Sequence, residues 1–308
     1  MRIAVIDLGT NTFNLLIAEA DMFGGFETLY NEKLPVRLGE GGINKGYITD
    51  EAFMRGLIAL ENYASTIHQW HCERTLAFAT SAVRSASNGH EFVVTVMEKT
   101  GIEIQTISGE MEAEFISMGV RQAVKLGADP SVIIDIGGGS TEFIIVDEKE
   151  ILWKQSFEIG ASRLLQRFQP SDPLKPGEQN KISDYILEEL KPLWEAGEKF
   201  NVKELIGASG SFESLAELIN VRYHSLPGLE DNTECEFVLE QCAAIHAEIL
   251  ASTRDQRLKM KGLVAMRVDL IVVSAVLVET VISRLNISKM RYSSYALKEG
   301  VLWRFLNK

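Results

Sequence analysis

The sequence predicts an α/β protein of two similar domains with a cleft between them, and three observations predict it. The chain has 308 residues, 46% of them hydrophobic, a length that suits two cores of ordinary size better than one. A strand–turn–strand unit occurs twice, as IAVIDLGTNTFNLLI at 3–17 and VIIDIGGGSTEFIIV at 132–146. Asp7 falls on Asp135 and Gly9 on Gly137, 128 residues apart, about the length of one domain. The repeat and the Gly127-Ala128-Asp129-Pro130 turn put the border near residue 125, giving domains 1–125 and 126–308.

Each unit is a buried apolar strand ending in aspartate, a tight turn, and a second apolar strand. Glycines in such turns permit positive φ and carry no Cβ, so several N–H groups can converge on phosphate oxygens. The donors expected are those of Thr10, Asn11 and Thr12 in the first turn and Gly137, Gly138, Gly139 and Ser140 in the second. Asp7 and Asp135, placed just before the turns, can hold a hard cation such as Mg²⁺ directly or through water. One such turn alone would read as simple chain reversal; the matched pair favours an anion site. No GxxxxGK[ST] element is present and no GxGxxG opens a helix, which excludes a Walker-type site and a dinucleotide fold.

Composition narrows the partners. A net charge of −12 opposes broad nucleic-acid binding, which needs a basic surface, yet a local pocket of amides, arginines and metal can still hold an anion. The start, Met1 to Asp7, lacks the apolar run and cleavage site of a signal peptide. Leu270 to Val278, bounded by Asp269 and Glu279, is far shorter than a membrane span and reads as a buried helix. Cys72, Cys235 and Cys242 form no CxxC pair, so a cytoplasmic protein is expected, with no membrane partner. His68, His71 and Cys72 read as an ordinary helix end, because no second ligand pair accompanies them.

Residues 109–126 have helical periodicity after a plausible N-cap, Ser108. Met111, Phe115, Ile116, Met118, Gly119 and Ala123 form one apolar arc, with Glu110, Glu114, Ser117 and Arg121 on the other side. Glu112 falls inside the apolar arc, where a carboxylate must be salt-bridged, protonated, or facing a cleft. Glu110 is the competing acid, on the solvent side. Arg84 and Asn88 follow an apolar strand around Thr75 to Ala79, and the residues alone leave Arg84 equally open to a phosphate or a surface role. Gly207-Ala208-Ser209-Gly210-Ser211 comes between a strand and a helix expected from about Phe212, so Gly207, Ser209 and Gly210 can offer amides to an anion. Arg37, Arg163 and Arg267 are weaker cleft candidates.

The segments DLGTNTFNLL at 7–16, ATSAVRSASNG at 79–89, ISGEMEAEF at 107–115, IDIGGGSTE at 134–142, IGASRL at 159–164, GASGS at 207–211 and YALKEGVL at 295–302 carry a resemblance. The chain resembles the acetate kinase, sugar kinase, Hsp70 and actin superfamily, and within it the exopolyphosphatase and guanosine pentaphosphate phosphohydrolase family. That resemblance implies two actin-like, ribonuclease H-like domains, with a last helix after Ala296 that can cross back onto the first. It implies Glu112 as the base that activates water, Arg84 on a substrate phosphate, and Mg²⁺ (or Mn²⁺) arranged by Asp135, Glu142 and Asp7. Met111 departs from the pattern, at a place often acidic in the family. The implied reaction removes the terminal phosphate of inorganic polyphosphate. Guanosine pentaphosphate as substrate, and a noncatalytic binder of polyphosphate or an alarmone, are the alternatives. A homodimer is implied as well.

Overall fold

A computed structural model describes residues 1–21, 24–226 and 232–307. The first sheet contains β1 (Arg2–Leu8), β2 (Phe13–Ala20), β3 (Phe26–Leu34), β4 (Arg74–Ala79) and β5 (Ile104–Thr106), in the order β3-β2-β1-β4-β5. β1, β2 and β3 pair antiparallel, while β4 and β5 run parallel to β1. Its helices are α1 (Asp50–Gln69), α2 (Ser81–Arg84), α3 (Gly89–Thr100) and α4 (Gly109–Ala123).

The second sheet repeats this plan. It contains β6 (Ser131–Ile136), β7 (Thr141–Val146), β8 (Ile151–Phe157), β9 (Glu204–Ala208), β10 (Glu234–Phe237) and β11 (Lys289–Ser293), ordered β10-β11-β9-β6-β7-β8. β6, β7 and β8 form the antiparallel meander and β9 and β11 the parallel half, so β6 occupies the place of β1; β10 is an added antiparallel edge. The helices are α5 (Ala161–Phe168), α6 (Pro176–Glu189), α7 (Lys191–Lys199), α8 (Ser209–Tyr223), α9 (Leu239–Ala251), α10 (Arg254–Arg257), α11 (Leu270–Leu285) and α12 (Leu297–Leu306).

Alternation along β1 sorts its side chains between two cores. Ala4, Ile6 and Leu8 pack with Leu60, Tyr63 and Phe92 of α1 and α3. Ile3 and Val5 join Ile133, Ile144 and Ile206 of the second sheet in a core closed by Ala113, Ile116 and Val120 of α4 and Leu297, Val301 and Leu302 of α12. α4 and α12 approach closely, since a Cβ on Gly119 would come 2.0 Å from the Ala296 carbonyl oxygen. These two helices, which carry Glu112 and Lys298 to the cavity wall, are thus locked together.

Two boundaries differ from the sequence reading. α4 ends at Ala123 rather than 126, because Val124 turns to extended backbone. α8 begins at Ser209, not near Phe212, after Ser209 takes a left-handed φ of 67°. The apolar run at 270–278 lies inside α11 and is buried; among the described residues no helix is long and apolar enough to cross a membrane. His68 stands in the last turn of α1 with His71 just beyond it, and no group of three potential metal ligands forms there among the described residues.

Candidate functional site

Both glycine turns end the central strands of their sheets and meet in a cavity of about 310 Å³. They contact each other tip to tip. A Cβ on Gly138 would come 2.4 Å from Asn11 Nδ2, and one on Gly139 2.5 Å from Ser81 Oγ and 2.8 Å from Thr10 Oγ1. The expectation of positive φ is corrected here: none of Gly9, Gly137, Gly138 and Gly139 has a left-handed φ. These glycines serve close approach between the turns, not an unusual backbone.

The direction of the turn amides follows from where the carbonyls go. In the first turn the carbonyl oxygens of Thr10 and Asn11 accept from Gly39 N at 3.0 Å and Arg37 N at 2.8 Å. In the second, those of Gly137, Gly138 and Gly139 accept from Ala161, Ser162 and Gly160 N at the start of α5. Among the described residues, the amides of Thr10, Asn11, Gly138 and Gly139 have no hydrogen-bond acceptor. A peptide whose oxygen is held on the outer side presents its N–H on the other, which is the arrangement that receives an anion.

Six carboxylates line the same cavity, and four of them, Asp7, Glu112, Asp135 and Glu142, come from the two hairpins and the start of α4; the others are Glu213 and Glu299. Register puts Asp135 directly across from Glu142 on β6 and β7, so both side chains leave the same face of the sheet. Burial raises the Asp135 carboxyl to about 6, against hydrogen bonding from Ser209 and the charges of Arg267 and Lys298. Burial likewise raises Asp7 to about 7, although Asn14 donates to it at 2.9 Å. Glu142 is raised well above its ordinary range by burial and then by Glu112 and Asp135, while Ser156 donates to it at 2.7 Å.

Enclosed oxygens that resist ionisation together suit a hard cation, whose charge would let them ionise. No three of them converge into a ready cage among the described residues. The donor set therefore fits an ion that completes its shell with water and phosphate oxygens, as Mg²⁺ commonly does.

Glu112 stands in the first turn of α4, whose Ser108 cap accepts from Met111 N at 3.2 Å. Its carboxylate is buried, lines the cavity, and accepts from Arg84 Nη1 at 2.8 Å. Burial raises it to about 8; Arg84 opposes the rise, and Asp7 and Asp135 add to it. Two of the three options open to an enclosed carboxylate thus hold at once, since Glu112 is ion-paired and faces the cleft. Glu110 and Met111 are exposed.

The structure brings together Asp7, Thr10, Asn11, Thr12, Glu112, Asp135, Gly137, Gly138, Gly139, Ser140, Glu142, Ser209 and Gly210 around the cavity. Two expected members stand outside it. Arg84 is not on the wall: its guanidinium is engaged by Glu112 and the Ile107 carbonyl, with Glu158 3.6 Å away. Gly207 is also off the wall, and a Cβ there would strike the Phe212 ring at 2.0 Å, so its smallness serves α8 packing.

Of the weaker arginines, Arg267 lines the cavity and Arg37 does not. Arg163 braces the two halves by donating to the Ile43 carbonyl at 2.8 Å and the Gly139 carbonyl at 2.9 Å. Sequence reasoning passed over Lys298, Glu299 and Ser81, which also line the cavity. Burial would lower the Lys298 ammonium, but Glu299, 2.8 Å away, and then Asp7 and Glu213 hold it above its ordinary value. The signal was there to find: Lys298-Glu299 interrupts an apolar helix start just as Glu112 does.

Two sheets of one strand order, each extending a glycine turn into a shared cleft, define an actin-like protein built for phosphate chemistry. The chain belongs to the Ppx/GppA phosphatase family, which it matches over residues 16–308. It is 30% identical over 310 residues to exopolyphosphatase 1 of Mycobacterium tuberculosis, covering 100% of this chain and 89% of that one. Among solved structures it is similar to an exopolyphosphatase from Cytophaga hutchinsonii, with 40% identity, a TM-score of 0.97, and 100% and 98% of the two chains covered. The Aquifex aeolicus Ppx/GppA family member shares the fold, with 23% identity, a TM-score of 0.81 and 99% and 97% coverage.

Proposed function

We propose that this chain is an exopolyphosphatase that hydrolyses the terminal phosphoanhydride of inorganic polyphosphate and releases orthophosphate. The observation that carries this reading is the Glu112 carboxylate, enclosed beside turn amides that have no acceptor among the described residues, with its proton affinity raised by burial. Glu112 accepts the proton of a water aimed at the terminal phosphorus, and its raised basicity suits that task. Arg84 fixes the carboxylate through the 2.8 Å bond and lends positive charge to the site. The turn amides, with Ser140 and Arg267, hold the phosphate oxygens on which charge develops. When bound by Asp135, Glu142 and Asp7, Mg²⁺ or Mn²⁺ supplies charge neutralisation and polarises the phosphate.

The same reading makes the protein a cytoplasmic homodimer with its domain border near residue 125, and gives it no nucleic-acid or membrane partner. Purified protein given polyphosphate and Mg²⁺ should release orthophosphate. Glu112→Gln should lower that release by roughly 10²- to 10⁴-fold while polyphosphate binding persists. Undiminished turnover in the variant would defeat the assignment. Guanosine pentaphosphate assayed in parallel decides between the two anions, and metal-dependent release by either excludes a purely regulatory binder.

A further inference from the structure

The end of β8 supports the site from outside the cavity. Ser156 Oγ donates to Glu142 at 2.7 Å. A Cβ on Gly109 would come 2.3 Å from the Ser156 Cβ, so the strand end is pressed against the first turn of α4, which carries Glu112. Glu158, just past the strand, reaches into the other half of the molecule. Its Oε2 accepts from Ser81 Oγ at 3.0 Å and from Arg163 Nη2, and its Oε1 stands 3.6 Å from Arg84 Nη2. Ser81 and Arg84 are the first and last residues of α2. Glu158 itself is not on the cavity wall.

Arg84 is divided between two carboxylates. One arm, Nη1, donates to Glu112 at 2.8 Å and to the Ile107 carbonyl at 3.1 Å. The other arm, Nη2, is enclosed and has no hydrogen-bond partner among the described residues; Glu158 is the acid that stands beside it. Burial would lower the guanidinium, but Glu112, and then Glu142 and Glu158, hold it above its ordinary value. Because a guanidinium is planar and rigid, a carboxylate that holds Nη2 also sets the plane in which Nη1 meets Glu112.

Glu158 is half exposed, and a charge so placed contributes little through Coulomb attraction alone. What it supplies is geometry. Arg163, its other cationic partner, also donates to the carbonyls of Gly139 at 2.9 Å and Ile43 at 2.8 Å and to Ser85 Oγ at 3.2 Å. The Glu158 carboxylate is thus held by a guanidinium that is itself fixed to the second glycine turn, and it passes that fixed position on to Arg84.

We infer that Glu158 is a positioning residue for the hydrolysis: it holds the outer arm of Arg84 and, through Arg84, the orientation of the Glu112 carboxylate. The inference rests on the reading of Glu112 as the group that activates water. The contacts run from Gly139 through Arg163, Glu158 and Arg84 to Glu112, so the base and the turn that holds the phosphate keep one register although they belong to different halves of the chain.

The test uses the full chain with polyphosphate and Mg²⁺. Glu158→Ala should lower kcat for orthophosphate release by roughly ten- to a hundred-fold, and KM should move by less than about two-fold because no substrate contact is lost; the melting temperature checks that the variant folds. Arg84→Lys keeps a cation for Glu112 but has no second arm for Glu158. In that background Glu158→Ala should cost almost no further kcat, whereas losses that add would show structural support alone. An unchanged kcat, a loss confined to KM, or additive losses would each overturn the inference. A second arm needs no turnover: modification of Arg84 by phenylglyoxal, located by peptide mass, should be several-fold faster in Glu158→Ala than in the unaltered protein. If the unaltered protein released no orthophosphate, the exopolyphosphatase reading would fail. The labelling would still decide the positioning, since faster modification supports it and equal rates at Arg84 refute it.

Discussion

Across the ladder from Asp7 in the first hairpin stands Asn14, whose amide donates to that carboxylate at 2.9 Å; across from Asp135 in the second stands Glu142. Backbone pairing, the glycine after the aspartate and the direction of the turn amides agree between the two. A single cross-strand residue separates their chemistry. An amide partner eases the burial of Asp7, whereas two facing carboxylates repel, so the demand for a cation is stronger at the second hairpin. Duplicated architecture can thus carry unequal electrostatic loads without any change of fold.

Within this comparison the largest effect should come from making the second hairpin resemble the first. Glu142→Gln should lower metal-dependent phosphate release by about 10- to 100-fold, while the metal-free protein melts at a higher temperature at pH 8, since a buried carboxylate has been removed. Activity unaffected by the change would mean that Glu142 does not serve the cation. Next is the contact between the turns. Gly139→Ala adds a Cβ within 3 Å of Ser81 and Thr10 of the other half, and overpacking of this kind costs about 1–3 kcal/mol. Because the strain lies at the meeting of the turns, activity should fall further than that of a variant equally destabilised in the core; a parallel fall would deny the turns their special contact.

The remaining expected effect is on stability against pH. Asp135, Asp7 and Glu112 rise to about 6, 7 and 8 in the folded protein, from ordinary values of 3.8, 3.8 and 4.5. Groups raised in this way favour the folded state below their unfolded values, and that contribution is lost as pH climbs through the folded ones. The metal-free protein should therefore melt at a lower temperature at pH 8 than at pH 5. Added Mg²⁺ should raise melting more at pH 8 than at pH 6. A flat profile in calorimetry would show that these carboxylates are solvated in the metal-free state.

Glu112 was legible because a charge inside an apolar helical arc can be counted along a chain. Arg267 and Lys298 were harder. Each meets an aspartate of the hairpins from a segment more than 100 residues away, Arg267 facing Asp135 and Lys298 facing Asp7, and no local period marks that meeting. Gly207 was read as an amide donor because sequence shows a missing side chain without showing what fills the space, which here is the Phe212 ring. Arg84 was left open between a phosphate and a surface role; in the structure its guanidinium donates to the Glu112 carboxylate, a partner that no local spacing announces.

Repetition and periodicity, both carried by neighbouring residues, were enough to determine two α/β domains, a pair of glycine turns and an enclosed glutamate. Tertiary structure alone decided which way the turn amides point and which glycines serve contact. It also decided which cations stand opposite the acids. Those outcomes depend on packing between segments far apart in the chain, where carbonyls find donors on α5 or near Gly39 and side chains fill whatever volume the two sheets leave between them.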